Sequence, residues 1–90
     1  MPELATRQLT FGEKSVGLTF NPSGDEKVNK VKELYAEIID LCDEMRKENR
    51  INESTDANDA ERLNEKGRFL SIAITEAQTA QMWAVKGITK

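Results

Sequence analysis

Apolar residues recur every three or four positions from Val28 to Met45: Val28, Val31, Leu34, Tyr35, Ile38, Leu41, Cys42 and Met45. That spacing predicts an amphipathic helix over 24–49. "SGDE" before it reads as a capping box, with Ser23 as N-cap and Glu26 three residues on. The polar run "NRINESTDAND" predicts a loop, and Asp56 or Asn58 is placed to cap a second helix. Its periodic pattern runs to about Lys86 and stops near Gly87. Two long helices joined by a short polar link predict an antiparallel hairpin. The fold class is therefore all-α, with a hairpin over 23–90 and an N-terminal arm over 1–22.

The second helix has too much apolar surface for one neighbour. Placed at about 100° per residue, the set from Phe69 to Val85 that includes Ile72, Ile74, Trp83 and four alanines fills an arc of roughly 220°. A helix covered by one partner needs a stripe of about 100° or somewhat more. The surplus predicts contact with another subunit, and the alanines permit close helix approach. Glu76 falls inside the arc, so a partner is expected for its carboxylate.

The arm is less regular. Met1–Arg7 reads as a frayed terminus. In "FGEKSVGLTFNPSGDE", Val16, Leu18 and Phe20 alternate like a short strand, but Gly12 and Gly17 interrupt any long element. An ordered arm with a turn or short helix is expected. Phe11 and Phe20 either staple the arm to the hairpin or offer a face on which a base can stack. Asn21 carries an amide able to read a base edge or a sugar. "NPSG" fits an ordinary turn, and it also brings backbone N–H groups after Ser23 and Gly24 to a helix N-terminus, where phosphates bind well.

Composition narrows the chemistry. At 90 residues the chain fits one small domain with a marginal core, which favours oligomerisation. Charged residues at 32 % and aromatics at 6 % suit a solvated helical protein. The net charge of −3 does not favour long nucleic acid, but it leaves room for a small anionic ligand on a local basic cluster. There is no histidine and a single cysteine, Cys42. Histidine general acid–base catalysis, Cys/His zinc sites and an internal disulfide are thereby excluded, and a reducing compartment is favoured. No apolar run is long enough for a membrane span or a signal h-region, which predicts a cytosolic protein. Most carboxylates stand one turn from a lysine or arginine, as on a solvated face. No nucleophile–base pair or metal cluster is apparent, so neither an enzyme nor a cofactor is expected. Arg68 reads as a rim residue or as a bidentate phosphate clamp. Lys14, Lys27, Lys30 and Lys86 are further candidates of that kind.

"FGEKSVGLTFNPSGD", followed by a helix and later by "SIAITEAQTAQMWAVKGIT", resembles the hairpin domain of phage anti-CBASS and anti-Thoeris sponge proteins. Those proteins bind the cyclic nucleotide signals of bacterial immunity and withhold them from host effectors. The resemblance spans about 9–89. The chain has no room for the additional β-rich segment frequent in anti-Thoeris members, and so is similar to the minimal all-helical form. The resemblance implies a homohexamer, a trimer of dimers in the cytoplasm of an infected bacterium, with ligand pockets between chains. It implies a stacking residue at Phe11 with Asn21 beside it, for cyclic dinucleotides or cyclic ADP-ribose isomers. Phe11 stands where some members have tyrosine, and Lys27 where they have a lysine. It also implies a second pocket for cyclic trinucleotides such as cyclic triadenylate, using Arg68 with Ser23 and Gly24. The alternative from another class is an adaptor hairpin that binds a partner helix through its spare apolar face.

Overall fold

The structure is a computed structural model that describes residues 8–90 apart from Glu53. Met1–Arg7, expected to fray, lie outside the described residues. Three helices and no strand are present among the described residues: α1 (Phe11–Val16), α2 (Glu26–Glu48) and α3 (Ala57–Ile88).

The arm contains the short helix, not a strand. Thr10 accepts from the Glu13 N–H, and the Glu13 carboxylate accepts from the Thr10 N–H, a complete capping box. At the other end Gly17 takes the left-handed conformation, with φ 63°. Its N–H donates to Lys14 O, and the Leu18 N–H donates to Glu13 O, which is a Schellman close. The alternation of Val16, Leu18 and Phe20 therefore has another origin. Val16 ends α1, Leu18 enters the core after the turn, and Phe20 stays outside at 70 % exposure. Phe11 is half-exposed, at 43 %, so neither phenylalanine is a buried core residue.

The start of α2 differs from the expected cap. Asp25, not Ser23, is the N-cap, and its carboxylate accepts from the Lys27 N–H. Ser23 instead works inside the preceding turn, donating to Asn21 Oδ1 and accepting from the Asp25 N–H. Asp56 caps α3 by accepting from the Asp59 N–H.

The helices pair as an antiparallel hairpin. Near the loop, the Asn49 amide donates to Leu63 O, and in the middle Arg46 donates to Ser71 Oγ. Val16, Leu18, Ala36, Ile39, Ile74 and Ala77 form the core, with Tyr35 and Cys42 packed against it. Fully burying a side chain such as Ile39 contributes about 1.5–3 kcal/mol. The α2 seam includes two charged residues, Lys32 and Asp43. Leu34, Ile38 and Leu41, expected on the covered face, are 47 %, 50 % and 56 % exposed. They share a second stripe, separated from the seam by the helix's rotation.

The same division holds for α3. Ile74, Ala77 and Gln81 are buried, whereas Phe69, Ile72, Ala73, Glu76 and Trp83 are exposed. Glu76 is thus not buried within the chain. The molecule measures 51 × 30 × 12 Å, a single layer of helices laid side by side. Its radius of gyration is 16.3 Å, against about 12 Å for a compact domain of this length. Domains normally close a core between two layers, and this plate supplies one.

Candidate functional site

The turn between α1 and α2 is built by Asn21. Its amide Nδ2 donates to Asp25 O and to Asn29 Oδ1. Its Oδ1 accepts from Ser23 Oγ and from the Gly24 N–H. Gly24 sits at φ 69°, a conformation that glycine adopts without steric cost. The N–H groups of Gly24, Asp25, Lys27 and Val28 are all engaged within this turn. Four of the N–H groups expected for a phosphate are therefore already occupied, and the Lys27 ammonium stands exposed beside them.

Lys32 holds the other side of this turn. It is 5 % exposed, and its Nζ donates to Gly17 O at 3.0 Å and to Phe20 O. The Phe20 ring centroid lies 5.7 Å from the same nitrogen. Burial lowers the Lys32 pKa from the ordinary lysine value. The carbonyls supply the partners that a buried ammonium requires. A depression of about 230 Å³ opens here, bounded by Phe20, Asn21, Ser23, Lys32 and, from the end of α3, Val85 and Thr89.

A second depression, of about 280 Å³, lies on α3 between Arg68, Ser71, Ile72, Thr75 and Glu76. The Arg68 guanidinium is exposed and stands 4.8 Å from the Phe69 ring centroid. No carboxylate is paired with it among the described residues, so its planar donor fork is available to an anion.

Phe11 lines neither depression. Its ring lies beside Arg46, whose Cζ is 5.7 Å from the ring centroid. Arg46 reaches all three helices: Phe11 on α1, Asp43 at 2.7 Å on its own helix, and Ser71 Oγ at 3.2 Å on α3. Asp43 also pairs with Lys47 at 3.1 Å. The hydrogen bond from Arg46, and then that from Lys47, hold the Asp43 carboxyl below the usual carboxylate range.

The expected site residues thus fall into three places on one chain. Asn21, Ser23, Gly24 and Lys27 share the turn, Arg68 borders the α3 groove, and Phe11 stands with Arg46. Neither depression joins Phe11 to Asn21, or Arg68 to Ser23 and Gly24. Sequence reasoning missed Arg46, Lys32 and Ser71. Arg46 follows Asp43 by one helical turn, the spacing of an ordinary solvated ion pair, and this concealed it. Among the described residues, no group of three or more His, Cys, Asp or Glu is placed to hold a metal ion. No helix among them is long and apolar enough to cross a membrane.

No curated protein and no solved structure matches the chain. The model of the Acb2/Tad1 hairpin domain matches residues 13–89, from within α1 to the last cap of α3. Asn21, Ser23, Gly24, Lys27 and Arg68 lie inside that span, and Phe11 lies just before it. A match across the whole hairpin places the chain in the Acb2/Tad1 family, the anti-CBASS and anti-Thoeris sponges.

Proposed function

We propose that this protein is a phage sponge that binds cyclic nucleotide signals and sequesters them without degrading them. Cyclic di- and trinucleotides and cyclic ADP-ribose isomers are the ligands, and the consequence is loss of CBASS or Thoeris signalling in the host cytoplasm. The family match over 13–89 carries this reading, because the family sequesters its ligands rather than turning them over.

The functional unit is a homo-oligomer, a hexamer on the family pattern. Two separate apolar stripes support this: Leu34, Ile38 and Leu41 on α2, and Phe69, Ile72 and Trp83 on α3. One self-complementary patch closes a dimer, whereas a larger closed assembly requires a second, different contact. Neighbouring chains would also bring together the site residues that one chain keeps apart. Phe11 stacks on a base, the 21–24 turn and Lys27 border that pocket or its neighbour, and Arg68 clamps a phosphate of a trinucleotide.

The test is recovery of the ligand. Cyclic dinucleotide, cyclic triadenylate or cyclic ADP-ribose is added below the concentration of protein sites, with and without magnesium. The free ligand should disappear, and heating the complex to denature the protein should release it chemically unchanged. Linear or cleaved nucleotide that accumulates with time would replace the sponge with an enzyme. A free pool undiminished for every ligand would leave the adaptor hairpin as the better reading. Light scattering that reports a monomer of about 10 kDa at micromolar concentration would remove the between-chain pockets.

A further inference from the structure

Arg46 ties the three helices together at Phe11, and its bonding does not exhaust it. A guanidinium carries five N–H donors in a rigid plane. One is directed to Asp43 Oδ1 and one to Ser71 Oγ, which leaves three. The side chain remains 34 % exposed, so these donors are within reach of a ligand at the surface. Asp43 is answered twice, by Arg46 and by Lys47, so the charge of this group of three is net positive. The Asp40 carboxylate, on the same helix, is engaged instead by the Gly12 N–H and the Thr10 hydroxyl.

The two bonds also fix the guanidinium. Asp43 is 6 % exposed and anchors one edge from within the α2 seam. Ser71 anchors the other from α3. An arginine held at two edges is preorganised, and little side-chain entropy remains to be lost when an anion arrives. An aromatic face and a fixed cation 5.7 Å from its centre are the two elements needed for a nucleotide, one for the base and one for the phosphate.

We propose that Arg46 is the specificity-determining residue of the Phe11 platform: held by Asp43 and Ser71, it receives the phosphate of a nucleotide whose base stacks on Phe11. This inference rests on the sponge reading and adds to it a residue that ranks phosphate-bearing ligands above neutral ones. Ser71 is a positioning residue that acts through Arg46.

Calorimetry with cyclic GMP–AMP on the full chain tests the proposal, in wild type and in Arg46→Ala, Arg46→Lys and Ser71→Ala. Each titration is run at low and at physiological salt. Arg46→Ala should weaken binding about ten- to hundredfold, the scale for lost hydrogen bonds to a charged group. It should also flatten the salt dependence, because one cation no longer faces the phosphate. Arg46→Lys keeps the charge but lacks the fork that spans Asp43 and Ser71. It should recover the salt dependence and only part of the affinity. Ser71→Ala should cost a few-fold with the salt dependence unchanged. A purely structural arginine would leave the salt dependence as in wild type in all three variants. If Arg46→Ala does not fold, Arg46→Gln takes its place: it removes the charge but keeps a polar side chain of similar reach, and it should flatten the salt dependence as Arg46→Ala would. Wild-type affinity and salt dependence in both Arg46 variants would overturn the inference and leave the sponge standing. A wild type that binds neither cyclic GMP–AMP nor cyclic ADP-ribose would overturn both.

Discussion

At Gly12 α1 lies close against α2, and replacing it with alanine tests whether the arm is docked as described. A Cβ at Gly12 would meet the carbonyl oxygen of Ala36 at 2.2 Å and Asp40 Oδ1 at 2.8 Å. The first of these atoms belongs to a helix backbone and cannot turn aside, so α1 must move. Moving it strains the Gly12 N–H bond to Asp40 Oδ1 at 2.6 Å and the Thr10 hydroxyl bond to Asp40 Oδ2 at 2.7 Å. A hydrogen bond to a charged acceptor contributes about 1.5–3 kcal/mol, and less where water competes, as it does at exposed Thr10. Overpacking costs about 1–3 kcal/mol. Alanine's better helix propensity returns up to about 1 kcal/mol. Because the bonds are strained rather than broken, only part of their contribution is lost, and the overpacking cost sets the scale of the expected net loss, about 1–3 kcal/mol. Gly87 provides the internal control, because a Cβ there meets nothing within 4 Å and the residue lies in the last turn of α3. Gly87→Ala should stabilise by about 0.5–1 kcal/mol. Urea unfolding followed by circular dichroism measures both, at one fixed protein concentration, since the proposed assembly would make the midpoint concentration-dependent. A Gly12→Ala protein as stable as wild type, or a Gly87→Ala protein equally destabilised, would refute the docking geometry.

Phe11→Ala should weaken cyclic dinucleotides or cyclic ADP-ribose isomers by about 1–3 kcal/mol, the scale for a lost base stack. Arg68→Ala should act mainly on cyclic triadenylate. Loss of both ligand classes from either change, with the oligomer intact, would show the two-site assignment to be wrong. Asp43 makes a pH-dependent contribution whose sign is set by its lowered pKa. Its ionised form adds stability above the unfolded carboxylate value near about pH 4, and that stability is lost as pH falls further. Asp43→Asn should therefore make the decline in urea midpoint below about pH 4 shallower. An unchanged slope would mean that Arg46 and Lys47 do not hold the carboxylate in solution.

The two long helices were legible because their apolar period and their cap residues agree. Asp56 was among the caps expected for α3, and its side chain does accept from Asp59. The short helix was obscure for a physical reason. Six residues give less than two turns, too few for a periodic pattern, and its decisive signals are the Thr10–Glu13 box and the left-handed Gly17. The start of α2 was misread because Ser23 and Asp25 are both good caps, and only the Asn21 network decides between them. The covered face of α2 was misassigned because its seam admits Lys32 and Asp43 while leaving Leu34, Ile38 and Leu41 outside. Polar residues become seam residues when partners from elsewhere satisfy them, and those partners, Gly17 O and Phe20 O for Lys32, become adjacent only on folding. The separation of the expected residues into three places, the 21–24 turn, the Arg68 groove and the Phe11–Arg46 contact, was not legible, because the fold alone sets which side chains meet.

That grouping bears on how such a thin protein can retain a ligand at all. Small-molecule sites bury about 70–90 % of their ligand. On a plate 12 Å thick, the depressions at Asn21 and at Arg68 are open to solvent on their outer side. Ile72 and Glu76 border the Arg68 depression, and both lie on the exposed face of α3 with Phe69 and Trp83. A second chain that covers this face to bury its apolar residues would also roof the depression. Under the sponge reading, assembly and ligand capture then draw on one surface. On that reading the apolar stripe would supply the association energy, and Arg68 and Glu76 would supply the polar contacts inside the roofed space. A ligand that binds only the roofed state stabilises the assembly in proportion to its occupancy. Tight retention can therefore arise from small depressions that would hold little on an isolated chain.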